Sequence, residues 1–234
     1  VTVKSPYSVD AAVWGRSVEC GVLENPWNEP PEDAYDMTVS IDRAPDKAEY
    51  IEITFEEGTP VALNDTRMEG LELIQKLNEI AGKHGIGRID MVENRLVGIK
   101  SREIYEAPAA VTLLKAHRAL EALVLSKQQG NFKQKVSQEY ADLIYNGLWF
   151  SNHREDLAAY VESTQRYVTG TVRVKLFKGN AIVVGRKSPY SLYNLSLATY
   201  DKGDLFDQNA APGLIHIWGL PLKTQAQCQK KGNC

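Results

Sequence analysis

Residues 87–108 constrain the fold of this chain more than any other segment. The segment opens as a strand, in which the apolar residues Ile89 and Met91 alternate with Asp90 and Glu93. Charged and polar side chains follow at short intervals, at Asn94, Arg95, Lys100, Ser101, Arg102, Glu103, Tyr105 and Glu106. Polar groups held at strand ends beside the glycines at 87 and 98 suit a small polar ligand. A salt-bridged hairpin with solvated charges has the same composition, so the residues alone leave both interpretations open.

Composition narrows the class of protein. A chain of 234 residues with 43% hydrophobic content can form one substantial domain or two small ones. The formal net charge of -3 and a pI near 5.9 give no electrostatic reason to bind nucleic acid or an anionic membrane. No apolar run approaches the roughly 20 residues of a membrane span. We therefore expect neither nucleic acid nor membrane among the partners.

The cysteines and histidines do not form a metal-binding pattern. Cys20, Cys228 and Cys234 include no C-x-x-C pair, and the four histidines lie far apart in sequence. We expect no metal site, and we expect a reducing, cytoplasmic compartment. Cys20 is interpreted as a small buried residue rather than a nucleophile.

Hydrophobic periodicity predicts separate hairpins and helices. Alternation predicts two β-hairpins, over residues 49–63 and 170–184. Spacing at i, i+3 and i+4 predicts helices over 71–81, 111–125, 136–147 and 151–167, the last with Ser151 as N-cap. A short helix is expected at 11–16, a polar connector at 128–134, and a tail from residue 207 that is helical in pieces, broken at 212–213 and 219–221. Because helices and antiparallel hairpins segregate rather than alternate, the fold class is α+β.

The 87–108 segment resembles the central motif of the argininosuccinate synthase family. That motif is written G-[IV]-G-R-[IV]-D-x-V-E-N-R-x-[VI]-G-x-K-S-R-x-[IV]-Y-E-x-P, and this chain carries nearly every fixed position of it. Further similarity covers residues 6–31, 179–193 and 207–215. The serine-glycine-glycine loop of the family's nucleotide-binding half does not occur in the sequence. The resemblance therefore implies the C-terminal part of a longer enzyme.

What the resemblance implies is an ATP-dependent, AMP-forming ligation of citrulline to aspartate, a step of arginine biosynthesis. This chain would supply citrulline binding through Ser8, Ser17, Glu93 and Tyr105. It would hold no catalytic nucleophile, metal or cofactor of its own, because ATP with its magnesium would be bound mainly by the other half. The family further implies a homotetramer. Residues 1–206 would form the citrulline-binding synthetase domain and residues 207–234 a helical oligomerisation tail.

Several assignments remain open at this stage. Ser8 and Ser17 have the residue types of an ordinary cap or turn. Arg95 is expected to brace the fold, whereas Lys100 and Arg102 suit either phosphate binding or bracing. Glu103 replaces a glycine that many relatives have, so the local loop is expected to differ. The alternative to an enzyme part is a non-catalytic amino-acid-binding or oligomerisation module derived from the family.

Overall fold

The computed structural model describes residues 6–199, 205 and 207–231. These form two compact units, within residues 1–192 and 193–234. From residue 6 onward, the first unit contains nine strands, β1 (Ser8–Ala12), β2 (Gly15–Glu19), β3 (Glu49–Glu56), β4 (Thr59–Leu63), β5 (Thr66–Arg67), β6 (Arg88–Asn94), β7 (Lys100–Glu106), β8 (Gly170–Phe177) and β9 (Asn180–Lys187). Its helices are α1 (Gly70–Lys83), α2 (Pro108–Val124), α3 (Lys127–Tyr145) and α4 (Asn152–Gln165). The second unit contains α5 (Leu195–Ala198) and α6 (Ala211–Lys231).

The strands form two antiparallel sheets. One has the order β1-β2-β7-β6 and the other the order β5-β4-β3-β8-β9. Together with the helices, this confirms the predicted α+β class, and both predicted hairpins are present as β3–β4 and β8–β9.

The main core lies between the five-stranded sheet and helices α1 and α2. Every second residue of β3 and β8 is buried there, including Ile51, Ile53 and Val174. Leu77 of α1 and Leu120 of α2 pack against them and are fully buried. The predicted helices at 71–81 and 111–125 thus follow their apolar stripes.

The four-stranded sheet has a smaller core on one of its faces. Val18 and Ile104 are paired across β2 and β7, and they pack with Leu23 and Ala34 from the loop that follows β2. The opposite face of this sheet therefore does not have to bury apolar side chains, and it is free to carry polar ones.

Glu106, at the end of β7, fixes the loop over this smaller core. Its buried carboxylate accepts hydrogen bonds from the backbone N–H groups of Asp36, Met37 and Thr38 at 2.9–3.0 Å, and it pairs with Arg16 at 2.8 Å. Burial disfavours the charged form, but these bonds and the Thr38 hydroxyl outweigh it, so the pKa of Glu106 is lowered. The Glu106 charge thus has a structural role, which is to hold this loop over the smaller core.

One turn requires glycine. Gly87, between α1 and β6, has φ of 108°, and a Cβ there would lie 2.5 Å from the backbone nitrogen of Pro108. Only glycine allows β6 to begin this close to the start of α2.

The prediction of a short helix at 11–16 is wrong. Those residues form the turn of a hairpin in which β1 pairs with β2, from Ser8 opposite Glu19 to Ala12 opposite Gly15. The reason is long-range: β2 also pairs with β7, and that ladder satisfies backbone groups that a one-turn helix would leave open.

The polar connector expected at 128–134 is also wrong, because these residues belong to α3. Ser126 and Gln129 form a capping box that starts the helix before its apolar stripe begins. Lysine and glutamine are good helix formers, so an exposed first half needs no apolar residues.

The tail expected in pieces is one continuous helix, α6. Pro212 falls in its first turn, where backbone N–H groups have no helical partner. Pro221 does lie inside the helix and removes one hydrogen bond, at a cost of about 3 kcal/mol. The helix nevertheless continues through this position.

Candidate functional site

The register of the four-stranded sheet brings the four predicted residues to one face. Ser17 lies directly opposite Tyr105, and Ser8 lies opposite Glu19, two residues along from Ser17. Tyr105 lies opposite Ile89, and Glu93 is four residues further along the same strand. Since cross-strand partners and every second residue share a face, Ser8, Ser17, Glu93 and Tyr105 all project from the face opposite the small core. We call this the site face.

Glu93 and Tyr105 are in direct contact on the site face. The Tyr105 hydroxyl donates a hydrogen bond to Oε2 of Glu93 at 2.9 Å. The second carboxylate oxygen, Oε1, accepts a hydrogen bond from the hydroxyl of Tyr145 at 3.1 Å. Sequence reasoning missed Tyr145, which is 52 residues from Glu93 and lies outside the 87–108 segment.

Both tyrosines are held as hydrogen-bond donors. Desolvation, the hydrogen bond to Glu93 and the charge of Glu93 together raise the pKa of Tyr105 well above its ordinary value. The same three causes raise the pKa of Tyr145. Each phenol therefore keeps its proton at neutral pH and donates it to the carboxylate.

The site face has an acidic character. Glu19 and Glu103 are the residues next to the paired Val18 and Ile104, so they face each other across β2 and β7. Burial, a hydrogen bond with Glu19 and the charges of Glu19 and Glu93 raise the pKa of Glu103 to about 7. Arg95 lies 3.5 Å from Glu19 and supplies a positive charge nearby. A face with several carboxylates favours a ligand that carries an ammonium group.

The remaining cations of the 87–108 segment have structural contacts. Arg102 points to the other face, where it pairs with Asp90 at 2.6 Å and donates to the carbonyl groups of Leu23, Asn25 and Asn28. Lys100 donates to Asn94 at 2.7 Å across the end of the hairpin. The question left open by the sequence is thus answered in favour of bracing for Arg102. Arg95 is mostly exposed and lies 3.5 Å from Glu19, so its bracing role stays a prediction.

A cleft borders one end of the site face. It has a volume of about 310 Å³ and is lined by Asp10, Trp14, Ser17, Tyr105 and neighbouring residues of the same strands and turns. Trp14 is half exposed at its rim. The cleft is large enough to receive part of an amino acid beside Ser17 and Tyr105.

The part of the chain that the structure describes offers neither a metal-binding cluster nor a membrane-spanning helix. Within it, no three His, Cys, Asp or Glu side chains are grouped in a way that could hold a metal ion. Among the same residues, no helix has both the length and the apolar character needed to cross a bilayer.

Comparison with known proteins finds one family. The family model described as the argininosuccinate synthase C-terminal domain matches residues 7–225. The chain is 60% identical over 238 residues to an argininosuccinate synthase of Dehalococcoides mccartyi, covering 100% of this chain and 59% of that protein. It is 58% identical over 231 residues to an argininosuccinate synthase of Listeria welshimeri, covering 99% of this chain and 57% of that protein. The chain thus spans less than three-fifths of the length of these relatives.

Proposed function

This chain belongs to the argininosuccinate synthase family, and we propose that it supplies the citrulline-binding and assembly part of an enzyme that joins citrulline to aspartate. The enzyme is a carbon–nitrogen ligase that consumes ATP and releases AMP and pyrophosphate. ATP, with its magnesium, is bound mainly by the nucleotide-binding part that completes the protein. The enzyme works in the cytoplasm.

One observation carries the proposal: the Glu93 carboxylate, held by two phenols, stands on an open and acidic sheet face. Each carboxylate oxygen accepts one tyrosine hydrogen bond and keeps a further lone pair. An α-ammonium group fits those lone pairs, because hydrogen bonds between an ammonium and a carboxylate are about twice as strong as neutral ones.

The hydroxyl groups on the same face suit the rest of the ligand. Citrulline carries an α-carboxylate and a neutral ureido group, which need both donors and acceptors. Ser8 and Ser17 can act as either, and the Tyr105 oxygen, whose proton is donated to Glu93, can accept. The spread of these residues over β1, β2 and β7 matches a ligand that lies across the strands.

The reaction proceeds in two steps. The ureido oxygen of citrulline attacks the α-phosphorus of ATP, which forms a citrullyl-adenylate and expels pyrophosphate. The amine of aspartate then attacks the former ureido carbon, and AMP leaves as the new carbon–nitrogen bond forms. No covalent enzyme intermediate is needed, so this chain contributes by orienting citrulline and by stabilising charge.

We further propose that residues 1–206 form the synthetase domain and residues 207–234 an assembly tail. The apolar side chains exposed on α6, Leu214, Ile215, Ile217, Trp218, Leu220 and Leu222, support a role of the tail in a homotetramer.

The test of citrulline recognition is the Glu93→Gln variant in the protein completed with its nucleotide-binding part. The amide keeps the shape and removes the charge. Losing a charged hydrogen bond is worth roughly 1.5–3 kcal/mol, so citrulline affinity should fall about ten- to hundredfold. The affinity for ATP should change far less, and Tyr105→Phe should weaken citrulline binding in the same direction by a smaller factor.

Calorimetric titration of citrulline and of ATP separates the outcomes. Glu56→Gln is the matched control, because Glu56 is also a strand carboxylate in an ion pair, with Arg67 at 2.7 Å, but lies in the five-stranded sheet. An unchanged citrulline affinity in Glu93→Gln, or an equal loss of ATP affinity, would mean that Glu93 only braces the fold.

A further inference from the structure

The contact between Tyr145 and Glu93 joins two parts of the chain that are far apart in sequence. Tyr145 is the last residue of α3, and Glu93 lies near the end of the edge strand β6. Their hydrogen bond of 3.1 Å spans 52 residues of sequence. Because Tyr105 holds the other carboxylate oxygen at 2.9 Å, the carboxylate is fixed from the sheet and from the helix at once.

The end of α3 is built so that Tyr145 has a defined direction. The helix closes through Gly147, which has φ of 72°, and through a hydrogen bond from the backbone of Leu148 to the carbonyl of Leu143 at 2.8 Å. In this kind of helix C-terminus the residue after the cap takes the left-handed backbone conformation, which favours glycine. The side chain of residue 145 is therefore presented from a turn with fixed geometry rather than from a frayed end.

The rest of α3 is braced against the main core. Lys133 pairs with Glu121 of α2 at 2.8 Å, and Gln165 of α4 donates to the same carboxylate at 2.9 Å. Val136 and Leu143 of α3 are buried. The position of Tyr145 is thus set by the helical layer.

We propose that Tyr145 is a second positioning residue for the Glu93 carboxylate, acting with Tyr105 to fix the plane of the carboxylate toward the ligand. This inference rests on the proposed function. Without the Tyr145 hydroxyl, the carboxylate keeps one donor and can rotate about its side-chain torsions. Binding an ammonium then has to stop that rotation, so affinity falls although no direct ligand contact is lost.

The exposure of Tyr145 argues against a purely structural role. Its side chain is 50% exposed, so water can replace the hydrogen bond in the folded protein without leaving a buried polar group unpaired. Removal of the hydroxyl should therefore leave the melting temperature unchanged and change ligand binding.

The experiment measures citrulline affinity in the completed protein for Tyr145→Phe. The dissociation constant should rise about three- to tenfold, while ATP affinity and the melting temperature stay the same. Tyr140→Phe is the matched control: it lies on the same helix, and within the described residues its hydroxyl has no hydrogen-bond partner. Unchanged affinity in Tyr145→Phe, or an equal loss in Tyr140→Phe, would overturn the proposal.

A double-variant comparison shows whether Tyr145 acts through Glu93. In the Glu93→Gln background, Tyr145→Phe should cause little further loss, because the charged group that it positions is already gone. If the two losses multiply, Tyr145 acts independently of Glu93 and the positioning role is wrong.

A measurement without ligand separates this inference from the proposed function. Tyrosines labelled with ¹³C at Cζ give a Tyr145 resonance that is assigned by its absence in Tyr145→Phe. Replacing Glu93 by Gln should shift this resonance. An unchanged resonance would mean that Tyr145 and Glu93 are not in contact in solution, which would overturn the proposal. If the completed protein does not bind citrulline at all, the proposed function fails, whereas a shifted resonance still supports the positioning of Glu93 by Tyr145.

Discussion

Glu103 illustrates how the surroundings on the site face shift the pKa of a single side chain. It faces Glu19 across two strands and is only 9% exposed. Its pKa of about 7 lies above the ordinary glutamate value of 4.5, first because of burial and then because of Glu19 and Glu93. Between these two values the folded protein holds a proton that the unfolded chain has released. Folding is therefore destabilised progressively as the pH rises from about 4.5 to about 7.

We predict that Glu103→Gln stabilises the protein in a pH-dependent way. At alkaline pH the ionised, buried Glu103 carboxylate destabilises the folded protein, and Gln has no such charge. The free energy of unfolding should therefore rise by about 1–2 kcal/mol at pH 8 and much less at pH 5. The free energy that corresponds to the whole pKa shift of Glu103 is larger than this. We expect less because Glu19 is partly exposed, so water screens the repulsion between Glu19 and Glu103. Urea denaturation at the two pH values measures the difference.

The control for this prediction is Glu57→Gln, at the exposed turn between β3 and β4. It should change stability little at either pH. A gain in Glu103→Gln that is the same at pH 5 and pH 8 would contradict a raised pKa and would point to packing instead.

At the scale of secondary-structure elements, the hydrophobic pattern of the sequence predicted the helices and strands whose apolar residues recur at a regular spacing. The stripes of α1 and α2 and the alternation of β3 and β8 are buried in the main core, so their sequence period reports their structure. β1 is an edge strand with almost no buried side chains, and the first half of α3 is largely exposed. Neither segment has a hydrophobic pattern that a sequence analysis could detect. β1 is defined by its pairing with β2, and the start of α3 by its capping box.

The same limit applies to the candidate site. Glu93 and Tyr105 lie in one recognisable segment, and their spacing within a hairpin could be inferred from it. That Ser8 and Ser17 share their face depends on the register of three strand pairs. Tyr145 comes from the end of a helix with no local signal, since only the packing of α3 brings its hydroxyl to Glu93.

The exposed apolar side chains of α6 lead to a prediction about assembly. Leu214 and Trp218 are one helical turn apart and are 66% and 79% exposed. Burying each such side chain contributes roughly 1.5–3 kcal/mol, so replacing both by Ser should weaken self-association by about two orders of magnitude or more. Analytical ultracentrifugation at tens of micromolar should find oligomers for the parent chain and a smaller species for the variant.

Leu71→Ser serves as the control, because Leu71 is 58% exposed on α1 and should not affect assembly. A parent chain that sediments as a monomer at this concentration would contradict the assembly role of the tail.

At the scale of the whole molecule, the proposed function assigns amino-acid binding to this chain and binding of the nucleoside triphosphate to the rest of the protein. Phosphates are usually held by backbone N–H groups of a glycine-rich loop at a helix start. The serine-glycine-glycine loop is absent from this sequence. About two-fifths of the relative's length lies outside the part that this chain matches, which leaves room for such a loop there. This proposed division of roles distinguishes part of an enzyme from a stand-alone amino-acid-binding module.

We predict that this chain alone forms no argininosuccinate from ATP, citrulline and aspartate. Adding the remaining part of the Dehalococcoides mccartyi relative, fused or as a separate chain, should restore measurable release of AMP and pyrophosphate, because this chain is 60% identical to the part of that relative that it replaces. The same complementation with Glu93→Gln should give less turnover at low citrulline and recover part of it at high citrulline, since the variant weakens binding of that substrate. Robust activity of the 234 residues alone would contradict the division between the two parts. A complemented protein that binds citrulline but never releases AMP would favour the non-catalytic module.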